Sequence, residues 1–214
     1  DIDVKSSVLN DLALSCNRET IIATNTSSLS VEDLATLSDR PDRFIGLHFF
    51  YHPAKNRLVE IIPSSETSSE TIQSVIQYCG AMGKVVILCK DRPGFVVNRF
   101  FVPWLNEACK LLDEGFGTPA EIDNVAKDCF NIGMGPFELM NLTGPSIALH
   151  STDYLASQLQ VDRYKGADSL RRLVEEGIQW DLTGVSGGFS SKDKKEIRNR
   201  LLGVVLCIAS QIVE

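Results

Sequence analysis

The chain has 214 residues, 43% of them hydrophobic and 23% charged, with a formal net charge of −7 at pH 7. That length suffices for one large domain or two small ones with a real core, and the composition is that of an ordinary globular protein. The acidic balance argues against nucleic-acid or membrane-surface partners, and no run of 18 apolar residues predicts a membrane span.

Val4, Val8, Leu12 and Cys16 stand at i, i+4 spacing and predict an amphipathic helix over 4–16. A short strand follows at 20–24. Ser30, with Asp33 three residues on, predicts a capped short helix carrying Val31, Leu34 and Leu37. Strands are expected at 43–49 and at 58–62, the latter stopped by Pro63. Thr67-x-x-Glu70 reads as a capping box opening a helix through Ile72, Val75, Ile76 and Cys79, and Val85–Leu88 reads as the last strand. Strands alternate with helices and are apolar on both faces, the pattern of a sheet covered by helices.

The character changes at Asp91-Arg92-Pro93-Gly94, after which helices alone are expected. A long apolar helix runs from about 95 to 114, with a kink anticipated at Pro103. Thr118-Pro119-x-Glu121 is a strong helix start. The turn Gly133-Met134-Gly135-Pro136 leads into a short helix ending near Gly144. Helices follow at 145–159 and 168–176, then a Gly-rich loop over 184–189 and a final helix from Glu196 to Glu214. Asn199-Arg200-Leu201-Leu202 echoes Asn98-Arg99-Phe100-Phe101, so residues 190–214 read as the start of a second helical repeat. The domain boundaries expected are 1–90, 91–189 and 190–214. With no initiating Met and no signal-peptide pattern, residue 1 reads as a cut inside a longer, cytoplasmic protein.

Six cysteines stand apart without a CxxC pair, and three histidines form no HExxH, so no metal site is expected. His48 ends one predicted strand and Glu60 lies inside the next. If those strands are neighbours, the carboxylate fixes the ring tautomer and leaves the other nitrogen to accept a proton. A surface histidine and a solvent-facing glutamate fit the same spacing. Asn25-Thr26-Ser27-Ser28 follows a strand, where an open α/β sheet places its ligands, though turn and capping chemistry also accounts for it. Asn98 is a polar residue in an apolar helix, either a satisfied structural group or a ligand contact. Lys55 and Arg57 suit either a phosphate or plain solvent, and His52 and His150 have no evident partner.

Five segments in order, Ala23–Leu29, Gly46–Phe50, Leu58–Glu60, Pro93–Arg99 and Gly133–Leu139, resemble the 3-hydroxyacyl-CoA dehydrogenase family. The resemblance runs from about residue 1 to 150. It implies the C-terminal half of a Rossmann-like NAD-binding domain followed by a helical domain. It also implies NAD-dependent oxidation of a 3-hydroxyacyl-CoA thioester in fatty-acid β-oxidation. His48 then corresponds to the general base and Glu60 to its orienting carboxylate. Ser27 and Asn98 correspond to substrate contacts, and Lys5, Asn25 and Ser27 to positions along NAD. The helical unit implies a homodimer or pseudo-dimer, and long members of the family carry a fused enoyl-CoA hydratase domain.

Two departures stand out. The family's G-x-G-x-x-G fingerprint is absent from the 214 residues, and the fragment alone is expected to hold NAD poorly. Where the family has Asn-Pro after His-Phe-Phe, this chain has Tyr51-His52-Pro53, which makes Tyr51 the expected substrate contact and leaves a different geometry. The alternatives are a dehydrogenase of another hydroxy acid or alicyclic CoA ester, and a non-catalytic CoA-binding or assembly domain.

Overall fold

The computed structural model describes residues 2–184 and 189–212. The predicted Gly-rich loop and the far end of the last helix therefore lie partly outside the described residues. The chain divides into two compact units, residues 1–96 and 97–214.

The first unit holds α1 (Ile2–Ser15), β1 (Ile22–Thr24), α2 (Val31–Thr36), β2 (Phe44–Phe49), β3 (Leu58–Pro63), α3 (Ser69–Ala81) and β4 (Val85–Leu88). The strands lie side by side in chain order. β1 pairs parallel with β2, β2 antiparallel with β3, and β3 parallel with β4. Each parallel pair is joined through a helix, as a parallel connection requires, and the antiparallel pair through the loop 50–57. Strand alternation then sorts the core. Phe44 and Ile62 face Leu9, Val31 and Leu34, while Ile45, Leu47 and Ile61 face Val75 and Cys79 of α3. Gly46 faces α2, and a Cβ there would stand 2.7 Å from Val31 Cγ2. Glycine at this position lets the helix approach the sheet closely.

Three local expectations are corrected. The cap of α3 is Ser68, whose hydroxyl accepts from Thr71 N. Thr67 is taken up elsewhere, its Oγ1 accepting from Ser64 N and donating to Phe44 O. The apolar stripe of α1 is only in part its buried face: Leu12 packs beside the buried Leu9, whereas Val4 and Val8 are exposed. β4 is not covered on both faces either, since Val85 and Leu88 are more than half exposed at the sheet's edge.

The second unit consists, among the described residues, of α4 (Val97–Asp113), α5 (Pro119–Phe130), α6 (Pro136–Thr143), α7 (Pro145–Leu159), α8 (Asp168–Glu176) and α9 (Ser191–Ile212), with no strand. Its core joins Trp104, Leu105 and Leu111 of α4 to Ile122, Phe137, Met140 and Leu170, and Ile197 and Leu201 of α9 enter the same cluster. Helix α4 continues through Pro103. The predicted start of α5 is present in full, with Thr118 and Glu121 capping each other's backbone.

Buried polar groups staple these helices. Asn106 is fully buried; its amide donates to Lys165 O at 2.7 Å and its oxygen accepts from Ala167 N at 2.9 Å. Asp123 accepts from Phe137 N at 2.8 Å and Glu138 N at 2.9 Å, the free donors at the start of α6. The Gly133-Met134-Gly135-Pro136 turn owes its second glycine to this contact, since a Cβ on Gly135 would stand 2.3 Å from the Asp123 carboxyl carbon.

Candidate active site

The site in the first unit is built where β1 and β2 end and β3 begins. Antiparallel register places His48 directly opposite Glu60, with both side chains on the α2 face of the sheet. His48 Nδ1 donates to Glu60 Oε2 at 2.7 Å, and both residues are buried. A carboxylate can only accept, so the Nδ1–H tautomer follows and Nε2 keeps its lone pair. That lone pair accepts from the Ser27 hydroxyl at 3.1 Å, and Ser27 is exposed. The result is a line of three groups running from a buried carboxyl group, through the imidazole, to the surface.

Local chemistry fixes each member. Thr26 is buried, and its Oγ1 accepts from Leu29 N at 2.9 Å, which ties the turn after β1 and turns Ser27 outward. Asn25 Oδ1 accepts from Phe49 N at 3.1 Å and locks the end of β1 to the end of β2. The imidazole lies between two phenyl rings, Phe50 at 4.7 Å and Phe95 at 5.7 Å between centroids. These rings shield the His48–Glu60 bond from water and strengthen it.

Sequence reasoning missed what holds the other oxygen of Glu60. Val96 N donates to Oε1 at 3.0 Å, and the Cys89 thiol lies 3.7 Å from the same atom. Burial first, then the charge and hydrogen bond of Glu60, push the Cys89 thiol up to about 12. It therefore stays a protonated donor at any working pH. The signal available in the sequence was Pro93-Gly94-Phe95. Gly94 and Phe95 both take positive φ, 76° and 46°, and an aromatic residue in that region marks a segment held by its surroundings.

The remaining predicted residues sit as follows. Lys5 Nζ donates to Thr24 Oγ1 at 3.0 Å and to Asn25 O at 3.4 Å. It lines a pocket of about 370 Å³ with Val4, Val8, Ile22, Thr24 and Asn25. Tyr51 is exposed, in the loop that Lys84 anchors through Asn56 O at 2.7 Å. Asn98 belongs to the second unit, half-buried in the first turn of α4. Among the described residues no cluster of ligands for a metal ion is found, and no helix is long and apolar enough to cross a membrane.

A Rossmann-like sheet unit followed by an all-helical unit defines a two-domain dehydrogenase architecture. Residues 1–92 match the 3-hydroxyacyl-CoA dehydrogenase NAD binding domain, and residues 94–184 match the 3-hydroxyacyl-CoA dehydrogenase C-terminal domain. Human mitochondrial hydroxyacyl-coenzyme A dehydrogenase is 40% identical over 189 residues, covering 86% of this chain and 59% of that protein. The fatty acid oxidation complex subunit alpha of Vibrio campbellii is 36% identical over 197 residues, 92% of this chain and 27% of that protein. The crystal structure of (S)-3-hydroxybutyryl-CoA dehydrogenase from Ralstonia eutropha superposes with a TM-score of 0.78 at 36% identity, covering 86% of this chain and 65% of that one. The chain belongs to the 3-hydroxyacyl-CoA dehydrogenase family. It spans 27% to 65% of the length of these three relatives.

Proposed function

We infer that the complete protein carrying this chain oxidises a 3-hydroxyacyl-CoA to the 3-ketoacyl-CoA with NAD, and that His48 is the general base. The observation that supports this reading most directly is the hydrogen-bonded line Ser27–His48–Glu60 at the carboxyl ends of β1 and β2, where an open α/β sheet takes its ligands. His48 Nε2 accepts the proton of the C3 hydroxyl. As it does, the ring becomes an imidazolium, and Glu60 stabilises that charge at 2.7 Å without moving. In the reverse direction the imidazolium returns the proton to the ketone oxygen. Ser27 Oγ already occupies hydrogen-bonding distance of Nε2 and orients the incoming hydroxyl there.

The residues present suit the cofactor. Lys5 offers an ammonium and Asn25 an amide at the end of β1, beside a pocket with aliphatic walls. This donor set answers the phosphates and hydroxyls of a dinucleotide. When bound, NAD supplies the acceptor for the C3 hydride. Tyr51, exposed next to the site strand, and Asn98 at the head of α4 complete the proposed substrate contacts.

His48→Gln in the complete protein is the test. NADH formation from a 3-hydroxyacyl-CoA is expected to lose at least about a hundredfold in kcat, the usual share of a general base. A variant turning over at the native rate overturns the assignment.

A further inference from the structure

Glu60 does more than point one oxygen at the histidine. Its other oxygen is gripped by the segment 89–96, which leads from β4 toward the second unit. Within these eight residues lie a thiol donor, an amide donor and a phenyl ring: Cys89 Sγ 3.7 Å from Oε1, Val96 N 3.0 Å from Oε1, and Phe95 with its ring centroid 5.7 Å from that of His48, tilted by 59°. The backbone of Glu60 already pairs with β2 and β4, so the ladder does not depend on these donors to its side chain.

We propose that Cys89 is a positioning residue for the His48–Glu60 pair: its thiol, with the Val96 amide, holds Glu60 Oε1 and thereby sets how strongly Oε2 binds the imidazole. This rests on the reading of His48 as the base. The argument is one of shared charge. Each hydrogen bond donated to a carboxylate draws electron density from it and weakens it as an acceptor elsewhere. The donors on Oε1 therefore draw charge away from Oε2 and temper its hold on the imidazole. Cys89 is 5% exposed, so water does not replace the thiol. The thiol also lies 3.7 Å from Ile87 O, but a charged acceptor wins over a neutral carbonyl. Among the described residues, Glu60 lies against His48 and Cys89 against Glu60, and the uncharged Ser27, Phe50 and Phe95 also flank the ring.

The test compares Cys89→Val and Cys89→Ala with the native chain in the complete protein. Both remove the donor; valine keeps the volume, alanine leaves a cavity. The His48 ring is titrated by NMR through its nitrogen shifts, which needs no turnover and no ligand. Loss of one weak donor from the carboxylate is expected to raise the His48 midpoint by about half a pH unit in both variants. The acid limb of kcat/KM should move by the same amount, with KM unchanged. Unshifted midpoints in both variants, or a shift in the alanine variant only, overturn the role of Cys89 and leave the base assignment standing. Should His48→Gln prove fully active while the midpoints move, the positioning effect survives and the base assignment fails.

Discussion

Both units bury polar side chains, and they do it to different ends. In the helical unit Asn106 and Asp123 are surrounded by backbone partners: Asn106 donates to carbonyls before α8 and accepts from Ala167 N, and Asp123 takes two amides of α6. Their bonds run between helices and join them. In the sheet unit Glu60 is as deeply buried, yet the chain of bonds it starts does not close. It passes through His48 and comes out at an exposed hydroxyl. Burial of a polar group is thus no sign of function. What separates a staple from a site is whether the network ends on backbone or on an atom that a ligand can reach.

The sharpest way to break this comparison is Glu60→Gln. The amide keeps the volume, and its oxygen can still accept from Val96 N. Its NH2 then faces His48 Nδ1 and forces the other tautomer, with a hydrogen on Nε2 where the proposed base needs a lone pair. Dehydrogenase activity is expected to fall about a thousandfold, while the urea midpoint stays close to native. Loss of stability with activity intact would make Glu60 a staple like the others.

The reverse pattern is expected at Asp123→Ala. Two amides at the start of α6 lose their acceptor, one of them fully buried, and the unit should lose about 3 kcal/mol in chemical denaturation. Activity per folded molecule should be unchanged. A variant of native stability would show that water satisfies those amides and that Asp123 joins nothing.

The sequence made this contrast only half visible. The caps of α2 and α5 and the turn before α6 are local signals, and each appears where its residues place it. His48 and Glu60 could be paired in principle because twelve residues bring the chain back as the adjacent antiparallel strand. The donors on Glu60 Oε1 come from 29 and 36 residues away, across a connection whose course no local pattern fixes. Between Asn98 and Asn106, the first stood out as the polar residue of an apolar helix. The second is the buried one, because the face carrying Val102 and Cys109 turns inward. Periodicity held that signal, three residues before Cys109 and four after Val102, and it went unread. The Thr67–Ser68 shift has another cause: both hydroxyls can cap, and only the demand of Phe44 O and Ser64 N for a partner decides which does.

The smallest effect lies in the pH dependence of the staple itself. Burial raises the Asp123 carboxyl above its ordinary value; the amides of Phe137 and Glu138 and the Lys127 charge pull the other way without cancelling it. The folded chain therefore binds this proton more tightly than the unfolded one. The stabilisation from this group is complete below the unfolded carboxylate value and is lost as pH rises through the folded value. Asp123→Asn has no proton to lose, so its urea midpoint should decline less than that of the native chain as pH rises from about 4 to 6. Parallel curves would mean that the amides of α6 and the Lys127 charge outweigh burial at Asp123.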